Sequence, residues 1–353
     1  MAVRWEISDM RVETSPGDHT RDSLFANGQM QVPVFVSIQA LKPNTTENYT
    51  LSAAELNTIK LVDYFSPTTQ LSAPWTYSGQ ENEFHHVLPS TASNESPQTD
   101  GSNQTAAFQK KTWWVSTSKV EHKNIGASIR APDGTVYHTG GGGPNRLDSH
   151  VTITGINPVH YNMSNVQFDR EDTKNGRTIN GNFLFDQDNY YFSSKVHRFQ
   201  KVQIRGHFFN PANDPPIERC YLRVSRYKGN PFNSEQSHLH YLWLMGSQQT
   251  KQAGNKNARA DITINQRQGA LCFTRFTLEG MGRLYPDGGG WFTNQFTIYD
   301  QYGNWGNFEA GHDGSSNLIT MSAVNSLLVE KSSASENFTP FSPEEAASLD
   351  LED

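Results

Sequence analysis

Short runs in which apolar residues recur at every second position dominate this chain. The run 32–38 carries Val or Ile at each even position, and in the run 292–298 only Asn294 interrupts the even-numbered Phe and Ile. Gly, Asn, Asp and Pro separate such runs. This period of two, bounded by turn residues, is typical of half-buried antiparallel strands. The pattern therefore predicts an all-β protein.

Two local signals refine this prediction. Asp133-Gly134 lies between two β-type runs, which predicts a tight hairpin there. Pro33 lacks an amide donor, so we expect the strand that it begins to start at a sheet edge.

The strands fall into two halves separated by polar loops. We predict two antiparallel β-sandwich domains, residues 1–166 and 167–331, and a flexible acidic tail, 332–353, in which Ser342-Pro343 would start a short helix. The architecture resembles immunoglobulin-like or fibronectin-like sandwiches, although the Cys…Trp…Cys spacing of true immunoglobulin domains is missing. A resemblance of architecture does not determine function.

Composition agrees with this picture. A chain of 353 residues has room for two domains of about 150 residues each. Hydrophobic residues make up only 35% of it but aromatic residues 11%, which suits thin sandwiches filled by rings. The net charge of −7 argues against nucleic acid as the main partner.

The N-terminal sequence and the cysteines do not identify a single cellular compartment for the protein. The N-terminal sequence lacks the apolar stretch of a secretory signal, and no window is apolar enough for a transmembrane helix. We expect a cytosolic protein, one exported by a non-classical route, or a mature form whose signal was removed. Cys220 and Cys272 are interpreted as two small buried residues, and a single bridge between them is the alternative.

Aromatic residues in Gly-, Asn- and Ser-rich surroundings give the main indication of function. An exposed ring can stack on the C–H patches of a sugar while neighbouring amides bond its hydroxyls. The alternative is that the rings cap the ends of the sandwich cores. The predicted ligand-binding residues are Trp75, Tyr77, Tyr302, Asn304, Trp305 and Asn307.

Two groups of residues could hold a divalent metal, and no other cofactor is expected. His238 and His240 would share one face of a strand and could present two imidazoles to an ion. Asp186, Asp188 and Asn189 resemble the start of a calcium loop, although the same residues also suit an ordinary turn.

Motifs of catalysis are missing from the sequence. It contains no Gly-x-Ser-x-Gly, and its Gly-rich runs lack the Gly-Lys-Ser/Thr ending of a phosphate loop. We therefore expect a non-catalytic protein that recognises a glycan or a cell-surface protein, as part of a toxin or adhesin. One alternative is a self-assembling structural β-protein, a homo-oligomer paired through strand edges. The other is a β-pore-forming toxin that inserts the polar segment 89–112.

Overall fold

The computed structural model describes residues 5–88, 108–141, 147–227, 235–280 and 290–324. The predicted acidic tail lies outside these residues, as does most of the segment 89–112, whose last residues begin a strand at Gln109. Strands dominate the described chain. It also contains one short helix, α1 (Ala53–Leu56), and two 3₁₀ turns, Pro211–Asn213 and Pro215–Ile217. The all-β prediction is confirmed.

The chain folds into two compact units. Unit 1 comprises Met1–Val159 with Tyr302–Asn304, and unit 2 comprises His160–Gln301 with Trp305–Asp353. The domain boundaries near residues 166 and 331 stay predictions. The described residues contain no helix with the length and apolar character needed to cross a membrane.

Unit 1 is a sandwich of two sheets. One sheet has the order β1-β3-β8-β7 with β4 beside β3, and the other has the order β2-β11-β9-β5-β6 with β10 beside β9. All pairs are antiparallel except β2–β11, which is parallel. The strands are β1 (Glu6–Thr14), β2 (Arg21–Phe25), β3 (Val32–Leu41), β4 (Asn48–Tyr49), β5 (Lys60–Asp63), β6 (Ser66–Gln70), β7 (Trp75–Ser78), β8 (Gln109–Thr117), β9 (His122–Arg130), β10 (Val136–His138) and β11 (Val151–Ile156).

The core of unit 1 is built from the alternating residues of these strands. Along β3 the even-numbered apolar side chains are buried, as the period of two predicts. The hairpin at Asp133-Gly134 is also confirmed, because Val136 pairs with Arg130 and Gly134 adopts a positive φ of 91°. As a whole β3 lies between β1 and β8, but its start is an edge on the β1 side, as Pro33 predicts. Pairing with β1 ends at Val34, so the missing amide of Pro33 faces no partner strand on that side.

Unit 2 contains a six-stranded sheet, a four-stranded sheet and a separate hairpin. Their orders are β12-β13-β19-β16-β15-β20, β14-β21-β22-β23 and β17-β18. The strands are β12 (Val166–Arg177), β13 (Leu184–Ser194), β14 (Phe199–Gly206), β15 (Cys220–Tyr227), β16 (Glu235–Leu242), β17 (Gln249–Asn255), β18 (Ala258–Ile264), β19 (Leu271–Glu279), β20 (Gly290–Trp291), β21 (Asn294–Asp300), β22 (Trp305–His312) and β23 (Ile319–Ala323).

The six-stranded sheet of unit 2 is covered on both faces. On one face Phe192 of β13 packs against Phe296 and Phe308 of the four-stranded sheet, with ring centroids 5.7 and 4.6 Å away. On the other face Phe276 belongs to a core cluster that includes Ile262 of the β17–β18 hairpin. Unit 2 therefore has three layers, and the central strands of its middle sheet are buried on both sides.

Candidate functional site

Three of the six residues predicted to bind a ligand lie in a core. Trp75 is 1% exposed and its indole N–H donates to Glu121 over 2.8 Å. Tyr302 is 3% exposed and packs against Phe25, while the buried Asn304 side chain accepts a hydrogen bond from Asn27. Buried side chains of this kind present no face on which a sugar could stack.

The other three are half-buried and bonded to neighbours. Tyr77 packs edge-to-face on Trp113, Trp305 lies against His160, and Asn307 accepts a hydrogen bond from Thr297 over 2.6 Å. Their ligand-binding role stays a prediction.

His238 and His240 share one face of β16, as the spacing predicts, but that face is internal. Their cross-strand partners are Thr277 and Arg275 of β19, and both histidines are buried. Burial lowers the pKa of His238 to about 4 and that of His240 to about 3, which keeps both rings neutral near neutral pH. Among the described residues, no third side chain of a ligating type joins them. A metal at this pair stays a prediction.

The calcium loop and the turn proposed for Asp186-Gln-Asp-Asn189 are both wrong, because these residues lie within strand β13. Asp186 and Asp188 point to one face, where together with Asp172 they bring carboxylate oxygens within 4.8 Å of one another. Asn189 points to the opposite face and bonds Gln266. Neighbouring residues of a strand point to opposite faces, so Asp186, Asp188 and Asn189 do not converge on one ion.

Arg275 supplies the positive charge that the buried Asp188 and the half-buried Asp186 need. Its guanidinium contacts Asp186 and donates from Nε to Asp188 over 2.5 Å. Its Nη1 donates to Thr277 and to Asn317, each over 2.8 Å. The guanidinium is thus satisfied on all sides, and through Asn317 it anchors the turn between β22 and β23.

This turn, residues 313–318, is held together by Asp313. The carboxylate accepts hydrogen bonds from the backbone amides of Asn317 and Leu318 over 2.8 and 2.9 Å, and it also contacts the Ser315 hydroxyl. Burial alone would raise the pKa of Asp313, but the hydrogen bonds of Ser315, Leu318 and Asn317 outweigh it and lower the pKa. The turn is therefore a fixed platform with an ionised carboxylate directed inward.

An exposed tryptophan stands beside this turn. All seven tryptophans lie in the described residues, and Trp291, at 59%, is the exposed one. It ends strand β20, where it pairs with Leu222 at the edge of the six-stranded sheet. Its ring packs edge-to-face on His312 of β22, with centroids 5.4 Å apart. A large ring is thus held rigidly at the surface.

Polar groups continue from this ring across the turn. Ser316 Oγ lies 3.4 Å from His312 Nδ1 and accepts a hydrogen bond from Arg226 Nη2 over 3.0 Å. Arg226, on β15, and Asn317 are exposed. We call Trp291, His312, Ser316, Asn317 and Arg226 the Trp291 surface. It combines an apolar ring with amide, imidazole and guanidinium groups inside one unit.

Unit 1 has an open groove of about 570 Å³ that is the other candidate. Its lining includes Glu13, Asp18, Asp148 and His150. Tyr64 packs on His150, and its hydroxyl donates a hydrogen bond to Asp148. The aromatic ring beside this groove therefore contacts residues of the groove lining. Most residues that line the groove are polar or charged, and its lining includes no tryptophan, tyrosine or phenylalanine.

Trp291 escapes prediction from sequence because it falls at the start of an expected strand. A signal is present, however. The apolar series 292–298 occupies even positions, so Trp291 falls in the odd series with Thr293, Gln295 and Thr297, which a period of two places on the polar face. Trp291 also follows the run Gly288–Gly290. No sequence signal brings Arg226 to this place.

Comparison with known proteins gives limited information. No family model matches the chain, and no curated protein matches it. Among solved structures, the C-terminal domain of the Streptococcus pyogenes antigen I/II-family protein AspA aligns at 11% identity with a TM-score of 0.23, covering 90% of this chain and 99% of that one. The BspA C-terminal domain of Streptococcus agalactiae aligns at 12% identity with a TM-score of 0.21, covering 89% and 100%. Likeness at these TM-scores carries no argument about what this chain binds.

Proposed function

We propose that this chain is a non-catalytic recognition protein that binds a cell-surface glycan at the Trp291 surface. The observation that carries the proposal is an exposed tryptophan ring fixed beside an ordered polar turn.

The chemistry of the surface suits a sugar. The indole face would stack on the C–H side of a pyranose ring, which is apolar. The Asn317 amide and the Arg226 guanidinium offer donors for hydroxyl oxygens. A site needs this combination of an apolar face and a few well-placed polar groups to orient its ligand.

The same contacts support binding rather than catalysis. Asp313 has a lowered pKa and its oxygens accept hydrogen bonds from its own turn, so it would not serve as a general acid. His312 Nδ1 lies 2.7 Å from the Asp313 carbonyl oxygen and donates to it, which fixes the ring. Glycoside hydrolysis generally needs two carboxyl groups with different pKa values, whereas the turn 313–318 carries one, that of Asp313.

A glycan array tests the proposal. Labelled wild-type protein should bind a defined set of glycans, and Trp291→Ala should lose that binding by about tenfold or more, because stacking on an aromatic ring contributes on the order of 1–2 kcal/mol. The variant should keep its melting temperature, since the ring is exposed.

Phe65→Ala is the matched control. Phe65 is 72% exposed in unit 1 and lies outside the Trp291 surface, so its removal should leave glycan binding unchanged. Trp305→Ala tests the alternative that the sequence suggested. Absence of binding to any glycan would refute the proposal, as would Trp291→Ala binding like wild type while His150→Ala, in the groove of unit 1, loses binding.

Self-assembly and pore formation stay predictions. The described residues include exposed strand edges, such as that of β12, but its Asp169, Arg170, Glu171 and Lys174 are charges of the kind that discourage pairing with another sheet.

A further inference from the structure

We infer that the glycan bound at the Trp291 surface carries an acidic group, a carboxylate or a sulfate, and that Arg226 binds that group. The inference rests on the proposed function and names the chemical class of its ligand. It comes from the bonding of one exposed guanidinium that is linked to the exposed ring through Ser316 and His312.

Arg226 is held in place without being neutralised. Its Nη2 donates to Ser316 Oγ over 3.0 Å, which ties the side chain to the turn that also contacts the tryptophan through His312. Within the described residues it forms no ion pair. A guanidinium has five N–H donors in a planar fork, so donors remain for a second partner.

Neighbouring carboxylates are bonded elsewhere. Glu279 lies in the same cross-strand row as Arg226, but Gln236, between them, donates a hydrogen bond to Glu279. Asp313 is bonded by the amides of its own turn. Glu279 and Asp313 are thus bonded to other partners, and among the described residues neither forms an ion pair with Arg226.

The charge of Arg226 acts locally. The whole chain has a net charge of −7, so its overall field does not attract an anion. Burial is the main cause of the lowered pKa of His238, and the charges of Arg275 and Arg226 lower it further. Arg275 is satisfied by Asp186 and Asp188, whereas Arg226 is exposed.

The sugar ring that stacks on Trp291 and the acidic group that pairs with Arg226 would belong to one sugar residue or to two adjacent ones. The Trp291 ring, His312, Ser316 and Arg226 follow one another through contacts of 5.4, 3.4 and 3.0 Å. A carboxylate or sulfate matches the guanidinium fork and can form two parallel hydrogen bonds with it, which a neutral hydroxyl cannot.

The test is an array that presents each acidic glycan beside its neutral counterpart: sialylated with desialylated, uronate-containing with carboxyl-reduced, and sulfated with desulfated. Wild-type protein should bind the acidic member of at least one pair about tenfold more tightly. Arg226→Gln should abolish that preference and leave the weaker binding of the neutral member in place. Arg226→Lys should restore part of the preference, and added salt should weaken acidic binding more than neutral binding.

The outcomes separate the two proposals. If wild type binds neutral and acidic members equally, and Arg226→Gln changes neither, the inference is wrong while glycan recognition stands. If nothing on the array binds, both are wrong. Arg267→Gln is the matched control, because Arg267 is an exposed arginine of unit 2 already paired with Asp169 and Glu171, and the change should leave the acidic preference intact.

Discussion

At the scale of single residues, the loss of the Arg275 side chain should strongly destabilise unit 2. It pairs with Asp186 and with the fully buried Asp188, and no water could replace it there without leaving a charge in the core. Arg275→Met should lower the free energy of unfolding by about 3–5 kcal/mol, measured by urea denaturation.

The control for Arg275 is Arg267→Met. Arg267 forms exposed ion pairs and its guanidinium lies over the Tyr191 ring, contacts that contribute about 1 kcal/mol or less each at exposed positions, so the loss should be well below that of Arg275→Met. Equal losses for the two variants would contradict the interior role of Arg275.

The two buried histidines predict acid sensitivity. Their folded-state pKa values, about 4 and about 3, lie below the unfolded value of 6.5, so the unfolded chain binds protons that the folded chain does not. Their contribution to stability is present above pH 6.5 and is lost as the pH falls from 6.5 towards 4. Each histidine adds a slope of about 1.4 kcal/mol per pH unit in that range.

His240→Phe tests this pH dependence. The ring volume is kept and the titrating group is removed, so the fall in urea midpoint between pH 6.5 and 4 should become smaller than in wild type. His19→Asn, at an exposed position, should retain the wild-type slope. Superimposable profiles for wild type and His240→Phe would show that His240 does not carry the effect.

Residue types alone predicted little of the candidate site. The rings predicted to bind a ligand share Gly- and Asn-rich surroundings, yet Trp75 and Tyr302 are buried and Trp291 is exposed. Local composition does not report whether a neighbouring strand covers a ring. The phase of the alternation does carry that information, and it places Trp291 among polar residues. The hydrogen bond between Arg226 and Ser316 joins residues that are far apart in the sequence, so local sequence patterns do not predict it.

At the scale of elements, β19 shows that alternation predicts a strand but not how many of its faces are buried. The run 271–279 reads as a half-buried strand, but the structure buries both of its faces. Alternation predicts a strand from local sequence. It does not show that a second layer, here the β17–β18 hairpin, covers the remaining face. The strands themselves, the Asp133-Gly134 hairpin and the all-β class follow from local pattern, and the third layer does not.

Two substitutions distinguish a half-buried β19 from a fully buried one. Phe273 packs against Phe296 of the four-stranded sheet, and Phe276, on the opposite face, stacks on Phe185. Phe273→Ala and Phe276→Ala should each cost about 3–5 kcal/mol in urea denaturation, because each leaves a cavity. A half-buried strand would instead show one large loss and one below about 1 kcal/mol.

At the scale of the whole molecule, no disulfide contributes to stability. The chain has two cysteines, both buried and free. Cys220 lies on β15 and Cys272 on β19, with β16 between them, so their strands are about 10 Å apart. A disulfide needs Cα atoms within about 7 Å. The expectation of two small buried residues is therefore confirmed, and the alternative of a bridge is wrong.

The reactivity of the two thiols tests whether both cysteines are buried and free. Burial raises the pKa of Cys272 to about 12 and that of Cys220 further, so neither thiol forms a reactive thiolate in the folded chain. A thiol-reactive chromophore should label neither cysteine in native protein and both in concentrated guanidinium chloride. A reducing agent should leave the melting temperature unchanged. A lower melting temperature on reduction would reveal a covalent link, and rapid labelling of native protein would show that the core of unit 2 opens far more readily than its three packed layers imply.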